Sequence, residues 1–178
     1  MNPDPSPSAH SHDHAAFVRI AVEQHQASLL RYATRLVGDP DRARDVVQDT
    51  FVRLLAQPPA TVDSHLAEWL FTVCRNRAFD VMRKEGRMKP FDAGADERVQ
   101  AAEPRPGAAL EAEEIHASVL RLVDRLPPNQ QEVIRLKFQN GFSYKEISRI
   151  TELSVSNVGF LIHTAIKTLR REWAAEAR

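Results

Sequence analysis

The chain has a single cysteine, Cys74. An internal disulfide is therefore excluded, and the apolar neighbours of Cys74 in a predicted helix point to a buried, inert thiol rather than a redox sensor. No stretch approaches the roughly 20 consecutive apolar residues of a membrane helix, so insertion into a bilayer is not expected. The N-terminal "MNPDPSPSAHSHDH" lacks the basic-then-apolar pattern of an export signal, which predicts a cytoplasmic protein. No strand pattern and no internal repeat is found. Net charge is zero, which excludes the strongly basic balance that alone would argue for nucleic-acid binding. The charge is unevenly placed, however: a nearly balanced head, an acidic middle over residues 91–116, and a basic tail. That asymmetry permits nucleic-acid contact, most readily at the tail.

Catalytic and metal chemistry find little support. "HSHDH" offers His10, His12 and His14, but alternate positions in a mobile tail provide no preformed site and no surrounding hydrogen bonds. Asp45, Gln48 and Asp49 lie on a solvent face with no histidine partner nearby in sequence, a poor set for a metal enzyme. The expectation is no enzyme activity, no cofactor and no metal.

What is present is helical periodicity. Residues 1–14 are rich in Pro, Ser and His and predict a disordered tail. Phe17, Ile20, Leu29, Leu30, Ala33, Leu36 and Val37 keep helical spacing up to "GDPD", where Gly38 stops one helix, Asp39 caps the next and Pro40 is its first residue. The second helix, Pro40 to about Gln57, turns Ala43, Val46, Val47, Thr50, Phe51 and Leu54 to one side. Asp45, Gln48, Asp49 and Val52 lie on the other. A third helix, capped by Asp63 or Ser64, is expected to bury Leu66, Trp69, Leu70, Val73 and Val81. It would then expose Glu68, Thr72, Arg75, Asn76, Phe79 and Arg83.

"DAGADERVQAAEPRPGAA" has no periodicity and reads as a linker. Beyond it Ile115, Val119, Leu122, Val123 and Leu126 form a stripe ending at "LPP". A helix opened by Pro127 and Pro128 closes at Asn140 and Gly141. "FSYKEI" then carries a capping box, Ser143 with Glu146, and a staple pairing Phe142 with Ile147. A turn through residues 151–153 and a helix capped by Ser154 complete a helix-turn-helix. The predicted fold is all-α, two small helical domains joined by a flexible linker, with the helix-turn-helix in the second.

In the last helix Val158, Leu161, Ile162, Ala165 and Leu169 face inward. Ser156, Phe160, His163, Lys167, Arg170 and Arg171 are left outside, with Asn157 and Thr164 beside them. Short polar or apolar groups at the start, to reach base edges, and cations farther along, for phosphates, make the polarity of a DNA recognition helix. No Arg or Lys precedes Lys167, so guanine forks are excluded from the first two turns. Asn157 favours adenine, Phe160 suits a thymine methyl, and Gly159 would let the backbone approach closely. On the third helix, Arg75, Asn76, Phe79 and Arg83 join cations, an amide and an aromatic, a mixture suited to unstacked bases, with a plain solvated face as the alternative.

"RARDVVQDTFVRLL", "AEWLFTVCRNRAFDVMRKEGR", "LPPNQQEVIRLKFQNGFSYKEIS" and the helix-turn-helix, in this order over residues 17–173, resemble bacterial sigma factors of the extracytoplasmic-function type. The resemblance implies domains at residues 15–91 (region 2-like) and 111–178 (region 4-like), with an acidic linker at 92–110 threading toward the RNA exit path. It also implies that Asp45, Gln48, Asp49 and Val52 dock on core RNA polymerase. Arg75, Asn76, Arg77, Phe79, Arg83 and Lys84 would hold the melted minus-ten element, with Asn76 at a flipped base. Ser156, Asn157, Gly159, Phe160, His163, Lys167, Arg170 and Arg171 would read the minus-thirty-five element. The implied partners are core polymerase and promoter DNA, and the family admits an anti-sigma factor. Gln131 stands where the family's motif carries Arg, Glu152 where its turn carries Gly, and Gly159, Leu161 and Thr164 where basic residues are usual, so base preference does not transfer. The alternative function is a stand-alone helix-turn-helix regulator that never joins polymerase.

Overall fold

The computed structural model describes residues 7–84, 86 and 110–176, and every regular element among them is helical. The chain divides into two units, Met1–Phe91 and Asp92–Arg178. The linker expected at 92–110 lies outside the described residues except for Leu110, as do the first six residues of the expected tail.

The first unit contains α1 (Pro7–Val37), α2 (Pro40–Leu55), the short α3 (Pro59–Val62), a 3-10 turn (Asp63–His65) and α4 (Leu66–Lys84). The disordered tail expected over residues 1–14 is corrected from Pro7 onward, because α1 already begins there. Composition had hidden two helix-favouring features: proline preset for a first turn and the alanines at 9, 15 and 16. Farther along, His14 and Phe17 line an open cavity against Ala56–Ala60, which gives this end of the helix something to pack on. Val18, Ala21, Leu29, Tyr32, Ala33 and Val37 form the buried stripe of α1, while Ile20 is exposed, contrary to its predicted place. Gly38 takes φ +73, the left-handed turn that Gly adopts without steric cost. Asp39 then accepts from the backbone N–H groups of Asp41 (2.9 Å) and Arg42 (3.1 Å), capping α2. The buried side chains of α2 are the six predicted ones, Ala43, Val46, Val47, Thr50, Phe51 and Leu54.

α4 departs from the prediction. Its buried residues are Glu68, Leu70, Phe71, Cys74 and Ala78, whereas Leu66, Trp69, Val73 and Val81 are only half-buried. The reason is tertiary: α4 is covered by both α1 and α2, so the inward arc is centred between the two stripes that sequence periodicity suggested. Phe71 meets Tyr32 of α1 with ring centroids 5.1 Å apart. On the α2 side Thr50 bonds Cys74, but burial dominates and pushes the thiol up to about 12, so Cys74 is inert at neutral pH. Asp63 and Ser64 form the 3-10 turn that leads into α4 rather than its cap.

The second unit contains α5 (Leu110–Asp124), α6 (Pro128–Phe138), α7 (Tyr144–Thr151) and α8 (Val155–Glu176), with α8 packed on the other three. Leu122, Val123, Val133, Leu136, Ile147, Ile150, Val158 and Ile162 fill its core. Ile115 and Val119, predicted to continue the α5 stripe, are exposed because the core ends one turn below them. Gln131 donates its amide to the carbonyls of Asp124 (3.0 Å) and Leu126 (2.7 Å), satisfying orphan acceptors at the end of α5. The residue that departs from the family motif thus has a structural task. Arg135, 4% exposed, pairs with Asp124. After α6, Gly141 at φ +76 turns the chain into the capping box, in which Ser143 caps the Glu146 N–H and Glu146 accepts from the Ser143 N–H at 2.7 Å. These bonds from Ser143 hold the Glu146 carboxyl below the usual range. Phe142 and Ile147, the predicted staple, are both buried.

Candidate nucleic-acid interfaces

Three outward faces come from the predicted residues. On α2, Asp45 and Gln48 are exposed and Val52 is 56% exposed. Leu55, 55% exposed and three residues beyond Val52, extends the same line. It was missed because the reading of this face stopped at Val52, although helical spacing alone reaches it. An acidic edge beside two exposed aliphatic side chains suits a protein partner with a basic rim. Asp49 differs from its neighbours. Its Oδ2 accepts from the Nε of Arg77 on α4 at 2.6 Å.

On α4, Asn76, Arg83 and Lys84 are exposed, and the Arg75 guanidinium lies 4.3 Å from the centroid of the Phe79 ring. Arg83 pairs with Asp80 at 3.0 Å. Arg75, Asn76, Phe79 and Arg83 therefore form one arc, with a stacked plane flanked by an amide. Arg77 is not part of it: at about 100° per residue it lies some 100° round the helix from Asn76, against α2. Glu68, expected on the outward face, is buried.

On α8, Ser154 caps the Asn157 N–H at 3.2 Å, and Ser156, Asn157, Phe160, His163, Lys167, Arg170 and Arg171 are all exposed. Phe160 is 66% exposed, so it is not packed inside its own unit. Gly159 departs from expectation. It is half-buried, and a Cβ there would lie 3.6 Å from the Tyr144 ring, so its open backbone faces α7. Tyr144 was not singled out from sequence. It sits in the first turn of α7, with the Lys137 ammonium 5.6 Å from its ring centroid. The capping box located that turn, yet only the fold brings it to Gly159. Glu152 closes the turn of the motif in the left-handed region, φ 62 and ψ 18. Among the described residues no group of three His, Cys, Asp or Glu is placed to hold a metal.

Residues 21–88 match sigma-70 region 2, and residues 116–169 match sigma-70 region 4. The chain is 30% identical over 163 residues to the ECF RNA polymerase sigma factor SigL of Mycobacterium tuberculosis, covering 88% of each. It is 34% identical over 139 residues to the ECF RNA polymerase sigma factor EcfG of Rhodopseudomonas palustris, covering 78% of this chain and 75% of the relative. The sigma factor RpoE of Bartonella quintana, solved with the anti-sigma factor NepR, superposes with a TM-score of 0.60 at 24% identity, over 86% of this chain and 94% of that one. At that identity the likeness speaks to fold.

Proposed function

The chain belongs to the extracytoplasmic-function sigma factors of the sigma-70 family and directs RNA polymerase to promoters; we propose that it divides this work among three faces. The α2 line Asp45, Gln48, Val52 and Leu55 docks on core polymerase. The α4 arc Arg75, Asn76, Phe79 and Arg83, continued by Lys84, holds the minus-ten element as unpaired DNA. Bases of the non-template strand would stack on the Arg75–Phe79 plane and bond Asn76. The outward face of α8 reads the minus-thirty-five element as duplex. There Ser156, Asn157 and Phe160 meet base edges, with His163 beside them, and Lys167, Arg170 and Arg171 hold phosphates. The helix N-terminus adds its own attraction for phosphate.

The single observation that carries this reading is that two separate helical units, in region 2 and region 4 order, each turn a DNA-type face outward. A stand-alone regulator would leave the exposed Val52 and Leu55 beside Asp45 without a role. In this reading the chain has no catalysis or cofactor of its own, works in the cytoplasm where polymerase is, and admits an anti-sigma factor as a further partner. No described helix is long and apolar enough to cross a membrane. The test is reconstitution of the chain with core polymerase on genomic DNA and mapping of start sites. A shared pair of elements upstream of the new starts is expected. Replacing Asp45 with Lys should abolish those starts while helicity is kept; the same starts at wild-type level would overturn the docking assignment.

A further inference from the structure

Of the two cations beside Asn76 in sequence, Arg75 stacks within the minus-ten arc and Arg77 is drawn away from it. The Arg77 Nε is spent on Asp49 at 2.6 Å, so this charge is balanced on α2 rather than offered to DNA. Asp49 lies in the same α2 segment as Asp45, Gln48 and Val52, and its side chain is 45% exposed, open to an incoming partner. Arg77 keeps 27% exposure, and no further hydrogen bond engages its two terminal amines among the described residues. The pair is thus accessible from both ends. A pair that keeps this much contact with solvent costs less to exchange than a buried one, where the charge left behind would be stranded.

We propose that Asp49 holds Arg77 in reserve in the free chain, and that docking of a cationic polymerase surface on Asp49 releases Arg77 to a backbone phosphate of the melted strand. The inference rests on the α2 docking reading and adds an order to it: polymerase first, then the full DNA grip. In the free chain the carboxylate acts as a local substitute for phosphate. After docking, the side chain needs only rotamer changes about its flexible stem to reach outward from α4.

The test is a titration by fluorescence anisotropy of the full chain with a labelled 20-nucleotide single-stranded DNA of random sequence, free and bound to core polymerase. In the free chain, Asp49→Asn should tighten binding about 1.4- to 5-fold, the span of a solvated ion pair. It should steepen the salt dependence by about 0.7, one phosphate on a single strand. The gain should vanish in Asp49→Asn/Arg77→Ala. Asp45→Asn removes the same charge one turn away and controls for general electrostatics. Arg77→Ala should leave the free chain unchanged and weaken the polymerase-bound form. An equal gain from Asp45→Asn, or a gain that survives loss of Arg77, overturns the proposal. So does a polymerase-bound form indifferent to Arg77→Ala. If the docking reading is at fault instead, core affinity will be unchanged by Asp45→Lys and Arg77→Ala will act alike in both states, a pattern distinct from failure of the exchange alone.

Discussion

α4 and α8 each present one face to a partner, but they handle charge in opposite ways. On α4, Arg77 is paired to Asp49 and Arg83 to Asp80 while Arg75 lies over Phe79, so two of the four cations of this helix are balanced by carboxylates within the first unit. On α8 the first three turns carry no Lys or Arg, and Lys167 and Arg170 stand outside any ion pair among the described residues. A face with partly balanced charge and a half-buried aromatic ring under a guanidinium plane favours uncharged, unstacked bases. A face with unbalanced cations at one end favours the backbone of a duplex, with a strong dependence on salt. The difference shows how two helices of one chain can take the same promoter in two physical states.

The largest expected effect separates the units by stability. Arg135 has a side chain only 5% exposed and is paired with Asp124, whereas the Asp49–Arg77 pair of the first unit is solvated. Arg135→Ala should cost about 2–4 kcal/mol, because a cavity opens where its long side chain is packed and its bond to Asp124 is lost. Arg77→Ala should cost no more than about 1 kcal/mol. Each unit carries one tryptophan, Trp69 in α4 and Trp173 in α8, so fluorescence-monitored urea unfolding reports each separately once the other tryptophan is replaced by Phe. The Arg135→Ala shift should appear at Trp173 alone. A shift of equal size at Trp69 would show that the units unfold as one.

Next come two aromatic deletions with opposite readouts. Phe79→Ala should weaken holoenzyme binding to melted DNA by about 1–3 kcal/mol, seen as lost permanganate reactivity of unpaired thymines on a duplex promoter and as a lower affinity that persists on a premelted one. Phe160→Ala should flatten base preference in the minus-thirty-five duplex by about 1–3 kcal/mol at the position read, with no rescue by premelting. The exposure of Phe160 already argues against a packing role, so its thermal stability should stay near wild type. Selection of identical duplexes by wild type and Phe160→Ala would remove it from the reading face.

What the sequence disclosed divides along a similar line. Signals closed within a few residues were readable: Gly38 and Asp39 between helices, the Ser143–Glu146 box, the Ser154 cap, and the six inward residues of α2. Periodicity served α8 nearly as well, with Val158, Leu161, Ile162 and Ala165 buried and Leu169 half-buried, because one side of that helix meets the rest of its unit. It misplaced the inward arc of α4 and buried Glu68, since a helix covered from two directions shows no single apolar stripe. The Tyr144–Gly159 contact and the Asp49–Arg77 pair join residues 15 and 28 positions apart, and neither residue type announces its partner. The helical start at Pro7 was hidden by a composition that resembles a disordered tail.

A smaller effect tests how far the second unit depends on such local signals. Ser143→Ala should destabilise it by about 1 kcal/mol through loss of the α7 cap. The Glu146 pKa is lowered in the folded state, so its contribution is full above the unfolded value near 4.3 and is lost as pH falls through the lower folded value. Unfolding by urea at Trp173 should therefore show a stability decline in that acid window that Glu146→Gln lacks. An unaltered pH profile in Glu146→Gln would assign the decline to other carboxylates.

The smallest effect concerns strain, and it too falls on one side of the comparison. Among the described residues of the first unit positive φ occurs only at Gly38 and Gly86, whereas the helix-turn-helix places Glu152 at φ 62. A residue with a Cβ pays roughly 1–2 kcal/mol in that region, and Gly returns about 0.5–1 kcal/mol of this through its freer unfolded chain. Glu152→Gly should therefore stabilise the second unit by a few tenths to about 1 kcal/mol. Glu152→Ala keeps the Cβ and the strain, so it should remain close to wild type. The pair of variants isolates backbone strain from loss of the carboxylate, which both share. A rise in the Trp173-monitored midpoint for Gly and not for Ala would place stored strain in the turn that sets α8 against α7. Equal midpoints for the two would show that the turn relaxes around Glu152 and that the angle between these helices does not depend on it.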